Sequence, residues 1–431
     1  MLRAKQYGLA LMVFITALTM GALTFFLYQI NVGSLKFQAD NVTTTNLAIA
    51  KQALIGFAVQ QGSTGAVTSR PGELPCPDIT NDGSSDPCAA NALGRLPWRT
   101  LGISDLRDGR TERLWYAVST NFKNNPRVFP LNSDTPGTIV VRDQSGQILH
   151  NAATGDGAVA VIISAGASII RSDGFNQNRS LGNQNLPVHY LDNAAGEENQ
   201  TFINGTNNGF IKGPIKDNLG AIVLNDQLEI ITRDELMFKV EQRVLKSVSN
   251  AILDYYCGNA SNSSYINQRC VDLSAAREFY PSPANFADAN CLGILPIALC
   301  NADNSISSGR VPVTLLSGSW ESTSIFRGGI TNNWFQRNGW REQILYAVSP
   351  ACIEGTVNCN GGGSLLQVQP SGNNARQVNV LAGGSLAGQV RAINPDKQNP
   401  SNFYEDENQT FANNLFVSES VGIFNDRLIS Q

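Results

Sequence analysis

Residues 5–36 read KQYGLALMVFITALTMGALTFFLYQINVGSLK, and no charged side chain lies between the two terminal lysines. Within this stretch, residues 9–27 are almost wholly apolar. As a helix they would rise about 28 Å, enough to cross the hydrocarbon core of a bilayer. Arg3 and Lys5 precede the apolar run, and the positive-inside rule keeps such a basic end in the cytoplasm while the rest is exported. We therefore predict a single transmembrane helix over residues 9–30.

A cleaved secretory signal is the alternative for this segment. Its apolar region would span only about 7 to 15 residues and end in a small-x-small cleavage site. The run here is longer and has no clean site of that kind. Residues 43–60 then read TTTNLAIAKQALIGFAVQ, and their apolar spacing predicts an amphipathic helix after the membrane helix. Its apolar face comprises Leu47, Ala50, Leu54 and Phe57.

The composition describes an uncommonly weakly charged chain. Charged residues make up 15%, hydrophobic residues 42%, and the net charge is −4. These values disfavour a disordered chain and lack the basic footprint of a nucleic-acid binder, so we expect no nucleic-acid partner. The 431 residues exceed what one hydrophobic core usually serves, which predicts two domains.

The eight cysteines fall into sequential neighbours. These are Cys76 with Cys88, Cys257 with Cys270, Cys291 with Cys300, and Cys352 with Cys359. Structural zinc would need a CxxC pair or a Cys/His cluster, and the sequence has neither. Disulfides in an oxidising compartment are favoured over eight reduced thiols. Neighbour pairing is the least demanding connectivity, although other pairings remain open.

Short motifs of the first half recur in the second half in the same order. The matched segments are residues 53–57 with 251–255, 94–97 with 309–312, 116–119 with 346–349, 165–168 with 382–385, 198–202 with 407–411, and 225–228 with 425–428. We predict a tandem duplication, with unit one over residues 31–235 and unit two over residues 236–431. One helix followed by short strands in each unit predicts an α+β class, a helix packed on an antiparallel sheet.

Local signals place particular elements within the units. The β-branched runs at residues 158–164 and 377–381 predict strands. Thr232, followed three residues later by Glu235, has the capping-box spacing that starts a helix. No flexible linker separates the units, so we expect this second helix to pack directly against unit one.

The loop between the first two cysteines carries oxygen-bearing side chains in alternation. They are Asp78, Thr80 and Asp82, with Asp86 beyond. The spacing matches the first part of an EF-hand loop, and a disulfide across the loop would preorganise the oxygens. Ala89 replaces the bidentate glutamate of that loop. Two hypotheses follow, a calcium site and a solvated acidic turn, and we expect no other cofactor.

Other candidate chemistry is weaker. No nucleophile elbow, HExxH or Walker motif is present, which predicts a noncatalytic protein. The repeated Glu-Asn-Gln-Thr-Phe motif is better explained as a polar turn ending on a buried Phe than as a binding site. Trp115 lies in a strand-like stretch that indicates core packing, whereas Trp334 and Trp340, flanked by Asn and Arg, are predicted to be more exposed and to suit a partner surface.

The start of the chain, KQYGLAL, resembles that of type IV pilin-like proteins, in which a prepilin peptidase cuts after a glycine that follows a short basic leader. The resemblance implies a leader over residues 1–8 and cleavage between Gly8 and Leu9. The apolar helix is then kept and packed into a filament. Most such proteins have Glu at the fifth residue after the cut, where this chain has Val13. The large tip-capping pseudopilin of type II secretion is similar in lacking that Glu.

The resemblance implies a noncatalytic minor or tip subunit of a type IV pilus or type II secretion filament, because two heads would be bulky inside a filament lattice. Its partners would be other pilin-like subunits, the prepilin peptidase and the inner-membrane assembly machinery of a bacterium. Heads of this kind also use calcium in comparable cysteine-bounded loops. The alternative is a membrane-anchored periplasmic or surface adhesin that never polymerises.

Overall fold

The computed structural model describes residues 4–29, 32–62, 69–88, 92–194, 196–201, 209–257, 279–294, 299–320, 324–326, 333–354, 359, 365–410, 413–418 and 424–431. Helices and several sheets are mixed along the chain, which confirms the α+β class. The helices are α1 (Ala4–Gln29), α2 (Val32–Gln60), α3 (Arg233–Cys257), α4 (Trp334–Arg337) and α5 (Asn394–Lys397).

The strands are short and numerous, as expected for a chain with frequent Gly, Pro and Asn. In chain order they are β1 (Leu93–Arg95), β2 (Trp115–Val118), β3 (Val141–Arg142), β4 (Ile148–His150), β5 (Ala160–Ser164), β6 (Asn193–Ala194), β7 (Glu197–Glu198), β8 (Phe210–Ile211), β9 (Ile215–Lys216), β10 (Ile222–Leu224), β11 (Gln227–Ile231), β12 (Ser308–Gly309), β13 (Ile344–Val348), β14 (Leu366–Gln369), β15 (Asn373–Ala375), β16 (Gln377–Leu381), β17 (Leu415–Val417) and β18 (Arg427–Ser430). Both predicted strands are confirmed, as β5 and β16.

The inner sheet of each unit has four antiparallel strands in the same relative order. Unit one has β1-β2-β5-β11 and unit two has β12-β13-β16-β18. Gly94 lies opposite Tyr116 in the first sheet, and Gly309 lies opposite Tyr346 in the second. These are residues of the matched segments. The glycines are required because a Cβ at Gly94 would lie 2.7 Å from the Asp78 carbonyl oxygen, and one at Gly309 would clash with the backbone in the same way.

An outer sheet of three strands covers the far face of each inner sheet. Its order is β4-β3-β8 in unit one and β15-β14-β17 in unit two, and each contains one antiparallel and one parallel pairing. Between the two layers lies an apolar cluster, centred on Trp115 and Ile163 in unit one and on Leu345 and Val380 in unit two. Each unit is therefore a helix on a sheet on a second, smaller sheet.

The helices fill the space between the two inner sheets. α2 packs on β5 and β11, α3 packs on β16 and β18, and the two helices contact each other. One buried cluster runs through this region and includes Leu54, Tyr116, Val244 and Tyr346. The prediction that the second helix packs against unit one is confirmed, and both units share this inner core.

The start of α3 follows the predicted capping signal. The hydroxyl oxygen of Thr232 accepts a hydrogen bond from the backbone N–H of Glu235 at 3.3 Å. The Glu235 carboxylate is 2.8 Å from the Lys51 ammonium of α2, which is also 2.9 Å from Glu229. The cap is thus present, and its glutamate also ties the two helices together.

The buried face of α2 differs from the predicted one at its C-terminal end. Leu47, Ala50 and Leu54 are buried as predicted, but Phe57 is only half-buried and Ala58 is fully buried instead. The Ala58 carbonyl accepts a hydrogen bond from the Gly72 amide at 3.0 Å. The small side chain of Ala58 lets the segment that contains Gly72 approach the helix closely. Ala58 is therefore the residue that this end of α2 buries in the core.

Candidate functional site

The N-terminal helix carries an uncovered apolar surface. Every residue of Leu9–Phe25 is exposed, including Leu9 at 73% and Val13 at 61%. Gly8 immediately precedes this surface within α1. Burying such a side chain contributes roughly 1.5–3 kcal/mol, so an apolar surface of this size requires lipid or another protein to cover it.

The apolar character continues into α2. Leu35–Gln60 is long and apolar enough to cross a membrane by length and composition, yet 33% of its most apolar stretch is buried inside the protein. The first contacts with unit one involve Ala39, whose backbone lies against Gly109, and Asn46, whose amide donates to the Arg107 carbonyl oxygen at 2.6 Å. Residues 35–38, directly before this contact, are exposed, among them Leu35 and Phe37.

Three of the four predicted cysteine pairs form disulfides. They are Cys76–Cys88, Cys291–Cys300 and Cys352–Cys359. Cys257 is also disulfide-bonded, whereas Cys270 lies outside the described residues. Neighbour pairing is therefore confirmed for three pairs.

The first disulfide closes the loop of the calcium hypothesis. Asp78 accepts backbone hydrogen bonds from Asn81 at 2.5 Å, from Asp82 at 3.2 Å and from Gly83 at 2.7 Å. Oδ2 of Asp86 accepts from the Thr80 amide at 3.0 Å and from its hydroxyl at 3.1 Å. The carboxylates thus act as caps of a tight turn.

The electrostatics of this loop follow from those contacts. Burial raises the pKa of Asp78, and the amide hydrogen bonds offset part of that rise. The Ser84 amide lowers the pKa of Asp82. Within the described residues, no group of three or more His, Cys, Asp or Glu side chains is placed to hold a metal ion. Most carboxylate oxygens here already accept amide protons, so the loop as folded is a poor fit to a calcium cage, and calcium binding stays a prediction.

The repeated Glu-Asn-Gln-Thr-Phe motif is part of a buried network. The Asn199 amide donates to the Ile211 carbonyl oxygen at 3.0 Å and to Asp226 at 2.8 Å, and its oxygen accepts from the Ile211 amide at 2.8 Å. Asn408 makes the same three contacts in unit two, to both backbone groups of Val417 and to Asp426, each at 3.0 Å.

This network joins two of the matched segments and makes the same contacts in both units, which favours the structural explanation of the motif. The expected polar turn is present at Thr410, whose hydroxyl donates to the Glu407 carbonyl oxygen at 3.1 Å. Phe202 and Phe411, expected to be buried, lie outside the described residues.

A second acid completes the network in each unit. The Asp192 carboxylate accepts from the Asn225 amide at 2.7 Å, and the Asp192 amide donates to Asp226 at 2.8 Å. Glu405 makes the equivalent contacts with Asn425 and Asp426 at 3.0 and 3.1 Å. Unit one therefore buries a pair of carboxyl groups, whereas unit two buries Asp426 beside a half-buried Glu405.

Burial decides the protonation of these groups. It raises the pKa of Asp192 to about 6. The pKa of Asp226 is raised well above its usual value by burial and by the nearby Asp192 carboxylate, and that of Asp426 is raised by burial and by Glu405. Burial thus favours the neutral form of both Asp226 and Asp426. Since both are buried, we assign them to stability.

The tryptophan prediction was wrong for Trp340. Its side chain is fully buried and Trp334 is half-buried, while Trp115 is buried as predicted. The polar neighbours of Trp340 do not indicate exposure, because they form hydrogen bonds inside the fold. Asn338, for example, is buried and its side-chain oxygen accepts the Leu131 amide of unit one at 3.0 Å.

That contact lies beside a cleft between the units, which is lined by the neighbouring Asn132 and Gly339. The inter-unit cleft has a volume of about 500 Å³ and lies between residues 121–136 of unit one and the Gly339, Arg391 and Lys397 region of unit two. Asp134 of unit one lies in the lining of this cleft and forms hydrogen bonds with residues of unit two. No local sequence pattern indicated this cleft, because its walls are about 200 residues apart in the chain.

The Asp134 carboxylate accepts three hydrogen bonds in unit two. The donors are the Arg391 guanidinium at 3.0 Å, the Ser385 amide at 2.8 Å and the Gln343 amide side chain at 3.0 Å. We call these donors the Asp134 site.

Comparison of the chain with protein-family models, curated proteins and solved structures gave no match.

Proposed function

We propose that the chain is a noncatalytic pilin-like or pseudopilin-like subunit, a minor or tip component of a type IV pilus or type II secretion filament. The observation that carries this proposal is the exposed apolar surface of Leu9–Phe25, followed by a helix whose second half is buried in an α+β head. Such a surface suits an element that lies first in a membrane and later against helices of neighbouring subunits.

Processing would release that element. Gly8 and Leu9 lie at the junction between the basic leader and the apolar helix, where the prepilin peptidase of such systems would cut. Before processing, the chain would be a single-pass protein of the bacterial inner membrane, with its N-terminus in the cytoplasm and both units outside. Other pilin-like subunits and the inner-membrane assembly machinery would then be its partners.

Two features favour a minor or tip position over a repeating one. Val13 offers an apolar side chain where a repeating subunit would offer Glu. The two units, which we propose to be duplicated pilin-like heads, also share one inner core beside α2 and α3. A head of this size would clash with neighbours inside a lattice but not at its end.

The mature N-terminus tests the proposal. We expect mass spectrometry of the protein from its native host to find a chain that begins at N-methylated Leu9, and only when the prepilin peptidase is present. Gly8→Val should block the cut. Gly21→Val is the matched control, because a Cβ at Gly21 has no neighbour within 4 Å. A mature chain that begins at Met1 or Leu2 would contradict the proposal.

The second candidate is a membrane-anchored periplasmic or surface binding protein that does not polymerise. The inter-unit cleft favours it, since a cavity of about 500 Å³ is large enough for a ligand. The same measurement separates the two, because this candidate predicts an uncut N-terminus with peptidase present or absent.

A further inference from the structure

The Asp134 site of unit two has a counterpart in unit one. In the matched segments, Gly383 corresponds to Gly166, and Arg391 has a counterpart in Arg179. Arg391 donates to the Gly383 carbonyl oxygen at 2.9 Å, and Arg179 donates to the Gly166 carbonyl oxygen at 2.7 Å.

The ring beside each arginine is also equivalent. The Arg391 guanidinium lies 4.6 Å from the Phe403 ring centroid, and the Arg179 guanidinium lies 4.9 Å from that of Tyr190. Each ring also contacts a second buried arginine, Arg310 in unit two and Arg95 in unit one. The two sites are therefore built on the same framework.

The third donor position differs in charge. Counting back from the matched Tyr116 and Tyr346, Gln343 of unit two corresponds to Arg113 of unit one, and Glu342 corresponds to Glu112. Unit one thus places an additional cation where unit two has a neutral amide.

The two sites also differ in what fills them. The unit-two site holds a carboxylate from another part of the chain, whereas the unit-one site opens into a cavity of about 430 Å³. We call this cavity the arginine site. Its lining includes Arg95, Arg107, Arg113, Arg179 and Glu112.

Charge is not balanced in the arginine site. Glu112 lies 3.3 Å from Arg179, and Asp105 lies 2.7 Å from Arg107 and 3.1 Å from Arg113. Two acids therefore pair with guanidinium groups of this site, and the buried Asp192 carboxylate also acts on Arg179, so the positive charge of the four arginines is only partly offset.

Two of these guanidinium groups also have an unused donor. The Nε atoms of Arg95 and Arg179 are buried and have no hydrogen-bond partner among the residues that the structure describes. Arg95 is only 4% exposed, and burial lowers its pKa to about 10. A buried cation with an unmade hydrogen bond is destabilised, and an anion in the cavity would relieve that cost.

We propose that the arginine site of unit one binds a carboxylate on an acidic segment of a partner protein, in the way that unit two binds Asp134. A polypeptide is the expected occupant because the equivalent carboxylate is delivered by a loop that also uses its backbone. The Leu131 amide of that loop binds Asn338, and Asn132 donates to the Asn338 carbonyl oxygen at 2.8 Å. This inference does not depend on the filament role.

The test uses the full chain in detergent and a peptide copied from its own loop. The probe is the acetylated and amidated peptide FPLNSDTP, residues 129–136, and its partner probe has Asn in place of the Asp. By calorimetry we expect one site per chain for the Asp peptide, weakened by salt. The Asn peptide should bind about tenfold more weakly, since it loses charge-assisted hydrogen bonds.

Variants locate the site. Arg179→Gln should weaken binding of the Asp peptide about tenfold. Arg113→Gln should weaken it less, because glutamine serves at the equivalent position in unit two. Arg110→Gln changes an exposed arginine outside the cavity and should leave binding unchanged. Thermal unfolding midpoints confirm that each variant is folded.

Asp134→Ala provides the positive control, because it vacates the equivalent site of unit two and should raise the number of peptide sites from one to two. If this variant gains a site while the parent has none, the proposal is overturned. Equal binding of the Asp and Asn peptides would also overturn it. Tighter binding of inorganic phosphate than of the Asp peptide would exclude the carboxylate assignment.

Discussion

Units one and two keep the same buried polar network but differ in the sites at their surface. Asn199 and Asn408 make the same three contacts at nearly the same distances. By contrast, the counterpart of the Asp134 site is an open arginine cavity in unit one. A buried polar group must be paired within the fold, so the network tolerates little change. A group at the surface can be paired by water, by another segment or by a partner, so the two sites can differ.

The loops bounded by cysteines differ in the same way. Unit one closes one loop with Cys76–Cys88, while unit two has Cys291–Cys300 and Cys352–Cys359. The acidic loop of unit one starts at Asp78, which pairs with Arg95. In unit two Ala284 pairs with the corresponding Arg310, so the first carboxylate of the loop has no counterpart there. Function that is specific to one unit is therefore expected in its loops and not in its sheets.

The largest predicted effect tests whether the two networks are equivalent. Asn199→Ala removes one hydrogen-bond donor to Asp226 and the side-chain partner of both backbone groups of Ile211. Because each buried polar group left unpaired costs 1–3 kcal/mol, we expect the free energy of unfolding to fall by about 3 kcal/mol. Asn408→Ala should cause a similar loss. Chemical denaturation of the full chain measures both.

Asn374→Ala is the matched control, since this exposed residue of β15 should change the free energy of unfolding by less than about 0.5 kcal/mol. A large loss from only one of the two network variants would break the comparison. It would mean that the second network is dispensable despite its geometry.

The carboxyl pairs predict how stability depends on pH. The pKa of Asp192 is about 6 in the folded protein, above the value of about 4 for an exposed Asp. The folded protein thus binds more protons than the unfolded chain between these values. The stabilisation is fully present below about pH 4 and is lost as the pH rises through about 6, a loss of about 3 kcal/mol.

Substitution separates the contributions of the two pairs. Asp226→Asn replaces a buried carboxyl, whose pKa is raised by burial, with a neutral amide, and we expect it to flatten the decline measured by denaturation at pH 4 to 8. Asp426→Asn should do the same for unit two. Burial also raises the pKa of Glu241 to about 7, and its contribution of the same sign is common to all variants. If Asp226→Asn gave the same pH profile as the parent and as the exposed-site control Glu198→Gln, the pairs would not govern this decline.

The smallest expected effect concerns the acidic loop, which only unit one has. Because its carboxylates already accept backbone hydrogen bonds, we expect calcium chelation to change the Tm by no more than about 1 °C. A drop of several degrees that Asp82→Ala abolishes would instead show that the loop binds calcium. Thermal unfolding with and without chelator is the measurement.

Patterns between near neighbours predicted much of the fold. The run at 377–381 became β16 without change, and Thr232 caps α3. These features depend on local backbone preference and on alternation of apolar residues, which a sequence displays directly. The sequence also displayed the recurrence of Gly94 and Gly309, although its cause is tertiary, the close approach of another chain segment.

Features that depend on distant residues were not predicted. Polar neighbours of Trp340 suggested exposure, but Asn338 among them is bound inside the fold. The arginine site joins Arg95 to Arg179, and neither residue lies in a motif that indicates a binding site. Composition around a residue predicts its burial poorly when its polar neighbours find partners elsewhere in the chain.

The sequence alone determined the α+β class, the apolar N-terminal helix, the repeated motifs and the cysteine neighbours, because each is set by residues close together in the chain. Only the tertiary structure decided that the two units share one inner core, that Asp134 fills a site in unit two, and that the counterpart in unit one is open. Those outcomes depend on which surfaces meet when the two helices pack between the sheets. The partners of buried charged groups are determined when these surfaces pack together, and no local sequence pattern predicts them.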